Sequence, residues 1–179
     1  MDDLTQLAMA AGAGDRLATT AFVRRTQPEV WRVCARLGDR AVADDLTQEV
    51  YSQAIPALAA FRGESSARTW LLQITRYVCA DHVRGRTRRR SLLDRLVARE
   101  GGGGTSPART GEVDLDDLVG RLDPDRRDAF VLTQVVGLSY AEAAMACEVP
   151  IGTIRSRVAR ARADLLDDLV DEREVESGS

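Results

Sequence analysis

The stretch SYAEAAMACEVPIGTIRSRVARARADLLDDL, residues 139–169, decides the fold of the part of the chain that contains it. Ser139 followed by Glu142 is the S-x-x-E pattern, in which a hydroxyl and a carboxylate cap each other's backbone donors. A helix is expected to start there and to end near Ala146. A CEVP turn follows, and a longer helix runs from about Ile151 to about residue 170. A short capped helix, a tight turn and a longer helix are the spacing of a helix-turn-helix. At 100° per residue Ile154, Val158, Ala161, Leu165 and Leu169 fall on one apolar stripe. The opposite side carries Thr153, Ser156, Arg160 and Ala163. Arg155 and Arg162 flank the stripe on one side and Arg157 on the other. Residues 151–163 hold four Arg and no acid. Small side chains let a backbone enter the major groove, and Arg at the edges can reach phosphates or the acceptor pair of guanine. Thr153 and Ser156, near the helix start, can donate to a phosphate or a base edge. The competing reading is a core helix with a cationic outer face; the cap and the turn together argue against it.

Upstream, GGGGTSPARTGE (101–112) contains five of the chain's fourteen Gly together with Pro107. Gly loses the most conformational entropy on ordering, so this stretch reads as a linker. A phosphate loop would need a Lys-Ser/Thr pair or a flanking strand and helix, and neither is present. Both flanks look helical, because no sustained apolar–polar alternation occurs. Before the linker four helices are expected: about 3–11, about 16–37, about 41–54 and about 66–85. Pro28 marks a break or a new first turn in the second, and Gly38-Asp39 closes it. Pro56 should end or bend the third. Buried faces are expected from Val30, Val33, Cys34 and Leu37, from Leu46, Val50 and Ala54, and from Trp70, Leu71, Ile74, Val78 and Cys79. SLLDRLVARE (91–100) adds a short helix of its own. After the linker, Leu115, Leu118, Val119 and Leu122 form one short helix. Pro124 opens another to about 136, with Phe130, Val131 and Val135 buried.

The chain's 179 residues carry 25 basic groups, all Arg, against 28 acids, for a net charge of -3. That length allows one ordinary domain or two small ones. With 44% hydrophobic residues a wholly disordered chain is excluded. No run of eighteen apolar residues occurs, so no membrane span is expected, and MDDLTQLAMA lacks the basic start of a secretory signal. Cys34, Cys79 and Cys147 are odd in number and far apart, which reads as reduced core thiols of a cytosolic protein. His82 has no ligand partner at a useful spacing, so neither a metal site nor a cofactor is expected. No nucleophile–base pair or paired carboxylates stand out, and no enzyme is expected. The net charge conceals a segregation. Residues 1–61 carry net -2, residues 62–90 net +6 and residues 91–179 net -7. A basic run of this kind is either a solvated face or the footprint of an anion.

Four stretches, in order, carry a resemblance. DDLTQEVY (44–51), FRGESSARTWLLQITRYVCADHVRGRTRRR (61–90), RLDPDRRDAFVLTQVVGLSYAEAA (121–144) and PIGTIRSRVARAR (150–162) are similar to motifs of the extracytoplasmic-function (group 4) sigma factors of the sigma-70 family. The SSARTWLL and ADHVR segments resemble actinobacterial sigma-C-like members. The resemblance implies an all-α protein of two small helical domains on a flexible tether. Residues 1–92 would form the region 2 bundle and residues 93–113 the linker. Residues 114–172 would form the region 4 helix-turn-helix domain, and residues 173–179 an acidic tail. It implies an RNA polymerase subunit, cytoplasmic and without direct membrane contact, that directs promoter-specific initiation. Its partners would be core polymerase (the largest-subunit clamp helices and the beta flap) and promoter DNA, with an anti-sigma factor as a further partner. The alternative is a stand-alone helix-turn-helix regulator, which has no reason to carry the 44–51 and 61–90 motifs.

Carried over residue by residue, the resemblance assigns Asp45, Leu46, Gln48 and Glu49 to polymerase binding. Asp45, Gln48 and Glu49 lie away from Leu46 and Val50, so one helix can bury one face and offer acceptors on the other. Arg62, Ser65, Ser66, Arg68, Tyr77 and Arg84 match the minus-ten and melting segment. GESSA (63–67) resembles the loop that takes an unstacked base, and Arg76 and the 86–90 cluster add charge for phosphates. Trp70 reads as core support. Tyr77 departs from the Asn of many members, so the family's minus-ten preference is not carried over. Thr153, Arg155, Ser156, Arg157 and Arg160 match the minus-thirty-five reader. Residues 91–114 as a free coil would span on the order of 25–30 Å, against roughly 58 Å between promoter elements about seventeen base pairs apart. Residues 164–176 hold seven acids and one Arg. Such a segment either is a solvated tail or competes with DNA; alternatively the two domains dock through opposite charge until the polymerase separates them.

Overall fold

The computed structural model describes residues 2–100 and 115–177, and among them every regular element is helical. In the N-terminal domain α1 (Asp3–Gly12) and α2 (Arg16–Val33) lead into a π-helical turn (Cys34–Asp39) and a 3₁₀ turn (Arg40–Val42). Then come α3 (Ala43–Ala57), a second 3₁₀ turn (Leu58–Ala60) and α4 (Ala67–Glu100). The C-terminal domain contains α5 (Leu115–Arg121), α6 (Pro124–Phe130), a π-helical turn (Val131–Val135), α7 (Tyr140–Cys147) and α8 (Ile151–Ser177).

The expected faces of α2 and α3 are buried: Val30, Val33, Cys34 and Leu37, and Leu46, Val50 and Ala54. Each Leu or Val so buried contributes about 1.5–3 kcal/mol relative to exposure. Thr26 and Tyr51 share a buried hydrogen bond of 2.7 Å between their hydroxyls, and burial pushes the tyrosine up to about 12. Cys34, Cys79 and Cys147 are free and buried, and burial raises the Cys147 thiol to about 11.

Several boundaries differ from the sequence expectation. Pro28 neither breaks nor restarts α2; it sits inside the helix on an exposed face, where the carbonyl left free one turn back can turn to water. Pro56 lies inside the last turn of α3 rather than ending it. Gly38 does not close α2 as a left-handed cap. It allows close packing instead, because a Cβ there would stand 2.4 Å from Leu46 Cδ1. Residues 91–100 are not a separate helix, and the linker does not begin at 93: α4 runs unbroken to Glu100. The Gly-rich stretch 101–112 lies outside the described residues. In the C-terminal domain the π-turn inserts an extra residue into the helical repeat. It buries Val131 and Leu132, leaves Phe130 half-buried and turns Val135 outward. Leu169 also leaves the expected stripe and is 38% exposed, while Ile154, Val158, Ala161 and Leu165 are buried. Among the described residues no helix is long and apolar enough to cross a membrane.

The two domains touch. α4 packs against α7.

Candidate nucleic-acid interface

The helix-turn-helix forms as its sequence dictates. Ser139 Oγ accepts from Glu142 N at 3.2 Å, and Ser139 N donates to Glu142 Oε2 at 2.8 Å. The Ser139 hydrogen bonds hold the Glu142 carboxyl below its ordinary value. Glu148 makes the turn in the left-handed region, φ +55°, a conformation uncommon for a non-glycine residue. On α8, Arg155, Ser156 and Arg160 are exposed and Thr153 is half-buried. Arg157 is half-buried and paired with Asp125 of α6, and Arg162 donates to Gln134. The exposed start of α8 therefore offers two arginines and a hydroxyl on one side.

On α3, Asp45, Gln48 and Glu49 are exposed, while Leu46 is buried and serves the core. Glu49 accepts from Gln53 Nε2 at 2.7 Å. Neighbouring Asp44 accepts from Trp31 Nε1 at 3.0 Å.

At the start of α4, Ser66 caps the helix: its Oγ accepts from Thr69 N at 3.1 Å, and its carbonyl accepts from Trp70 N at 3.0 Å. Gly63 supplies the loop's positive φ, +70°. Beside the loop opens a cleft of about 320 Å³ lined by Phe61, Arg62, Glu64, Ser65, Trp70 and Gln73, with Met145 of the other domain at its wall. Trp70 is half-buried and stacks obliquely on Phe61, ring centroids 5.1 Å apart. It is therefore both core support and cleft wall. Arg62, Tyr77 and Arg84 are exposed. Arg84 pairs with Asp81 and Arg86 with Asp39.

Arg68 and Arg76, in contrast, are held. Arg68 forks onto Glu29 of α2, with Nη2–Oε1 at 2.6 Å, and donates to the Val136 carbonyl of the other domain at 2.7 Å. Arg76 reaches the other domain twice: Nε donates to the Ala146 carbonyl at 3.1 Å, and Nη1 stands 3.4 Å from Asp128 Oδ2. Its guanidinium also stacks over the Tyr77 ring, 4.6 Å from the centroid. Burial raises the Asp128 carboxyl to about 6, with Arg76 opposing the shift. Across the seam the two arginines are received by one carboxylate and two carbonyls. Asp128 and Met145 were not singled out by the sequence. Asp128 sits on the polar face of an ordinary short helix, and Met145 is one more apolar residue in a helix that buries its alanines. Among the described residues His82 Nε2 and Arg127 Nε are buried without a hydrogen-bond partner.

Comparison with known proteins gives the family. Residues 22–89 match the family model Sigma-70 region 2, and residues 112–165 match Sigma-70, region 4. The chain is 47% identical over 172 residues to the ECF RNA polymerase sigma factor SigC of Mycobacterium tuberculosis, covering 92% of this chain and 90% of that protein. It is 33% identical to the ECF RNA polymerase sigma-E factor of Escherichia coli K12, covering 83% and 85%. Among solved structures it is similar to CnrH in complex with the cytosolic domain of CnrY, with a TM-score of 0.73, 27% identity and coverage of 96% and 99%. It is also similar to the sigma factor RpoE of Bartonella quintana in complex with the anti-sigma factor NepR, with a TM-score of 0.65, 29% identity and coverage of 84% and 96%. Two sigma-70 domains in order, and relatives matched along nearly their whole length, make this chain a member of the extracytoplasmic-function sigma factors of the sigma-70 family, the proteins that direct RNA polymerase to start transcription.

Proposed function

We propose that this sigma factor divides its work among three surfaces. The exposed acceptors of α3, Asp45, Gln48 and Glu49, meet the clamp helices of core polymerase, with Leu46 fixing the helix from within. The start of α8 reads the minus-thirty-five element through Thr153, Arg155, Ser156, Arg157 and Arg160, while the same domain meets the beta flap. The loop 62–66 and α4 take the opened minus-ten strand, using Arg62, Ser65, Ser66, Arg68, Tyr77 and Arg84. The observation that carries the reading is the exposure of Arg155, Ser156 and Arg160 together behind a fully formed capping box. The work takes place in the cytoplasm, with polymerase.

In the free chain Arg68 and Arg76 are engaged by the C-terminal domain, so melting requires the domains to part. Core polymerase, whose binding surfaces for the two domains are separate, supplies the driving force. A relative of this fold has been solved with an anti-sigma factor, and this chain is expected to have such a partner. The test is sequencing of the transcripts made by reconstituted holoenzyme on genomic DNA. Discrete start sites preceded by two shared elements are expected; no promoter-dependent product would overturn the reading.

A further inference from the structure

The first helix of the chain carries no residue assigned above, yet it reaches the strand-capture loop through a single buried hydrogen bond. Ala67, the first residue of α4, is fully buried, and its backbone N–H is one of the donors a helix start cannot satisfy internally. Ser66 caps Thr69 and leaves Ala67 unserved. The acceptor comes from 62 residues away: Ala67 N donates to Thr5 Oγ1 at 3.0 Å. Thr5 is 3% exposed. Its hydroxyl proton is committed elsewhere, since Thr5 Oγ1 donates to Asp2 Oδ2 at 2.6 Å while Thr5 N donates to Asp2 Oδ1 at 2.9 Å. Asp2 thereby fixes the hydroxyl rotor, and a lone pair of Thr5 faces Ala67. One turn further along α1, Met9 Sδ stands 3.7 Å from where a Cβ on Gly63 would lie. The helix therefore supports the loop at both ends, under Gly63 and under Ala67.

From this we infer that Thr5, oriented by Asp2, is a positioning residue that holds the loop 63–66 and the first turn of α4 in the geometry that receives the unstacked promoter base. The inference rests on the proposed role of that loop. Threonine suits the position because a hydroxyl donates and accepts at once. Valine has the same shape and does neither, and it would leave the buried Ala67 N–H without a partner. A site that captures a base must be set before the base arrives, since a loop that orders on binding subtracts that entropy from the melting step. The effect therefore belongs to opening, not to recruitment: Thr5 touches neither α3's exposed face nor α8.

The test uses holoenzyme and the strongest promoter mapped by the transcript sequencing above. Thr5→Val is expected to slow promoter opening about tenfold, read as fluorescence of 2-aminopurine placed in the melted element. Affinity for core polymerase and for the upstream duplex should stay within about twofold. Thr5→Ser, which restores the hydroxyl, should recover most of the rate. A template carrying a pre-opened bubble should also recover it in part, because melting has been done while capture has not. Met9→Ala, which leaves the buried hydrogen bond intact, should slow opening by about twofold to threefold. Thr5→Val that opens promoters at the wild-type rate would overturn the inference. So would a loss of opening matched by an equal loss of core and upstream binding, which marks general unfolding. Ser65→Ala with Ser66→Ala separates the two levels. If that pair leaves opening untouched while Thr5→Val impairs it, the assignment of the loop fails and the support from Thr5 has another purpose.

Discussion

Arg76 of α4 and Arg155 and Arg160 of α8 carry the same charge in opposite situations. Arg76 is 15% exposed, sits against a carboxylate that is equally buried, and gives a second hydrogen bond to a helix-end carbonyl. Arg155 and Arg160 stand in solvent at the mouth of a helix-turn-helix. A cationic patch in a sequence says where an anion can bind, but not whether the protein already supplies one. In the free chain the C-terminal domain supplies acceptors to Arg68 and Arg76 of α4, while Arg155 and Arg160 of α8 are left to solvent. The two surfaces should therefore answer differently to mutation, to salt and to pH.

The largest effect is expected from Asp128→Arg, which sets two guanidiniums face to face in a buried seam. Removing one partner of a buried pair costs about 3–5 kcal/mol, and like charges cost more. The domains should separate, seen as a larger radius of gyration in small-angle scattering. Binding of a single-stranded oligonucleotide to the free chain should rise. Arg76→Asp combined with Asp128→Arg should close the chain again and leave it unable to gain that binding. An unchanged radius for Asp128→Arg would show that the seam rests on the remainder of the α4–α7 packing.

Next in size are the exposed arginines. Arg160→Ala or Arg155→Ala should cost about 1–3 kcal/mol of upstream-element binding and relax one base position if the side chain reads guanine. If it meets phosphate, the loss should be uniform across sequences, and the slope of log affinity against log salt should fall by about one. Neither change should alter the radius of the free chain, and that contrast separates the two surfaces.

Much of this was legible. The S-x-x-E pair placed the start of α7, and a 3.6-residue repeat placed the core faces of α2, α3 and most of α8. What was not legible had local physical causes. A π-turn has no sequence signature, so Val135, expected inside, stands outside. Pro28 and Pro56 read as breaks because the rule concerns a lost hydrogen bond, and an exposed face tolerates that loss. Leu169 left the stripe where α8 runs on past the body of its domain. The seam was hidden most completely: opposite charge between the domains could be read, but nothing distinguishes Asp128 from Asp125 in sequence. The same holds for Thr5, whose partner is 62 residues away.

A smaller effect is expected from pH, and it should fall on the seam alone. In the closed chain Asp128 titrates at about 6, raised by burial and by Asp125 and lowered by Arg76 and Arg127. When the domains part it should return toward the ordinary carboxylate value. The closed form then binds the proton more tightly, so closure strengthens as pH falls through about 6 and weakens above it. Between pH 7 and pH 5 the closing equilibrium should rise roughly tenfold, measured by energy transfer between dyes on the two domains. Asp128→Asn, which imitates the protonated carboxyl, should stay closed and lose this dependence. A dependence that survives the substitution would assign it to another group.

The smallest effect separates support of a surface from the surface itself. Ser139→Ala removes the capping box of α7 and should cost about 1 kcal/mol of the C-terminal domain's stability, read by denaturant unfolding. Helix α7 contributes to both surfaces: its carboxyl end presents the Ala146 carbonyl to Arg76, and its turn sets the angle of α8. Losing the cap frays the other end, away from Arg76 and from Arg155. Closure and upstream binding should each weaken by less than the domain itself does, and by similar factors. A selective loss of closure would mean that α7 moves as a lever about its turn and that the seam depends on its whole length. A selective loss of upstream binding would mean that α8 takes its angle from α7's first turn, and that the surface open to solvent is the less independent of the two.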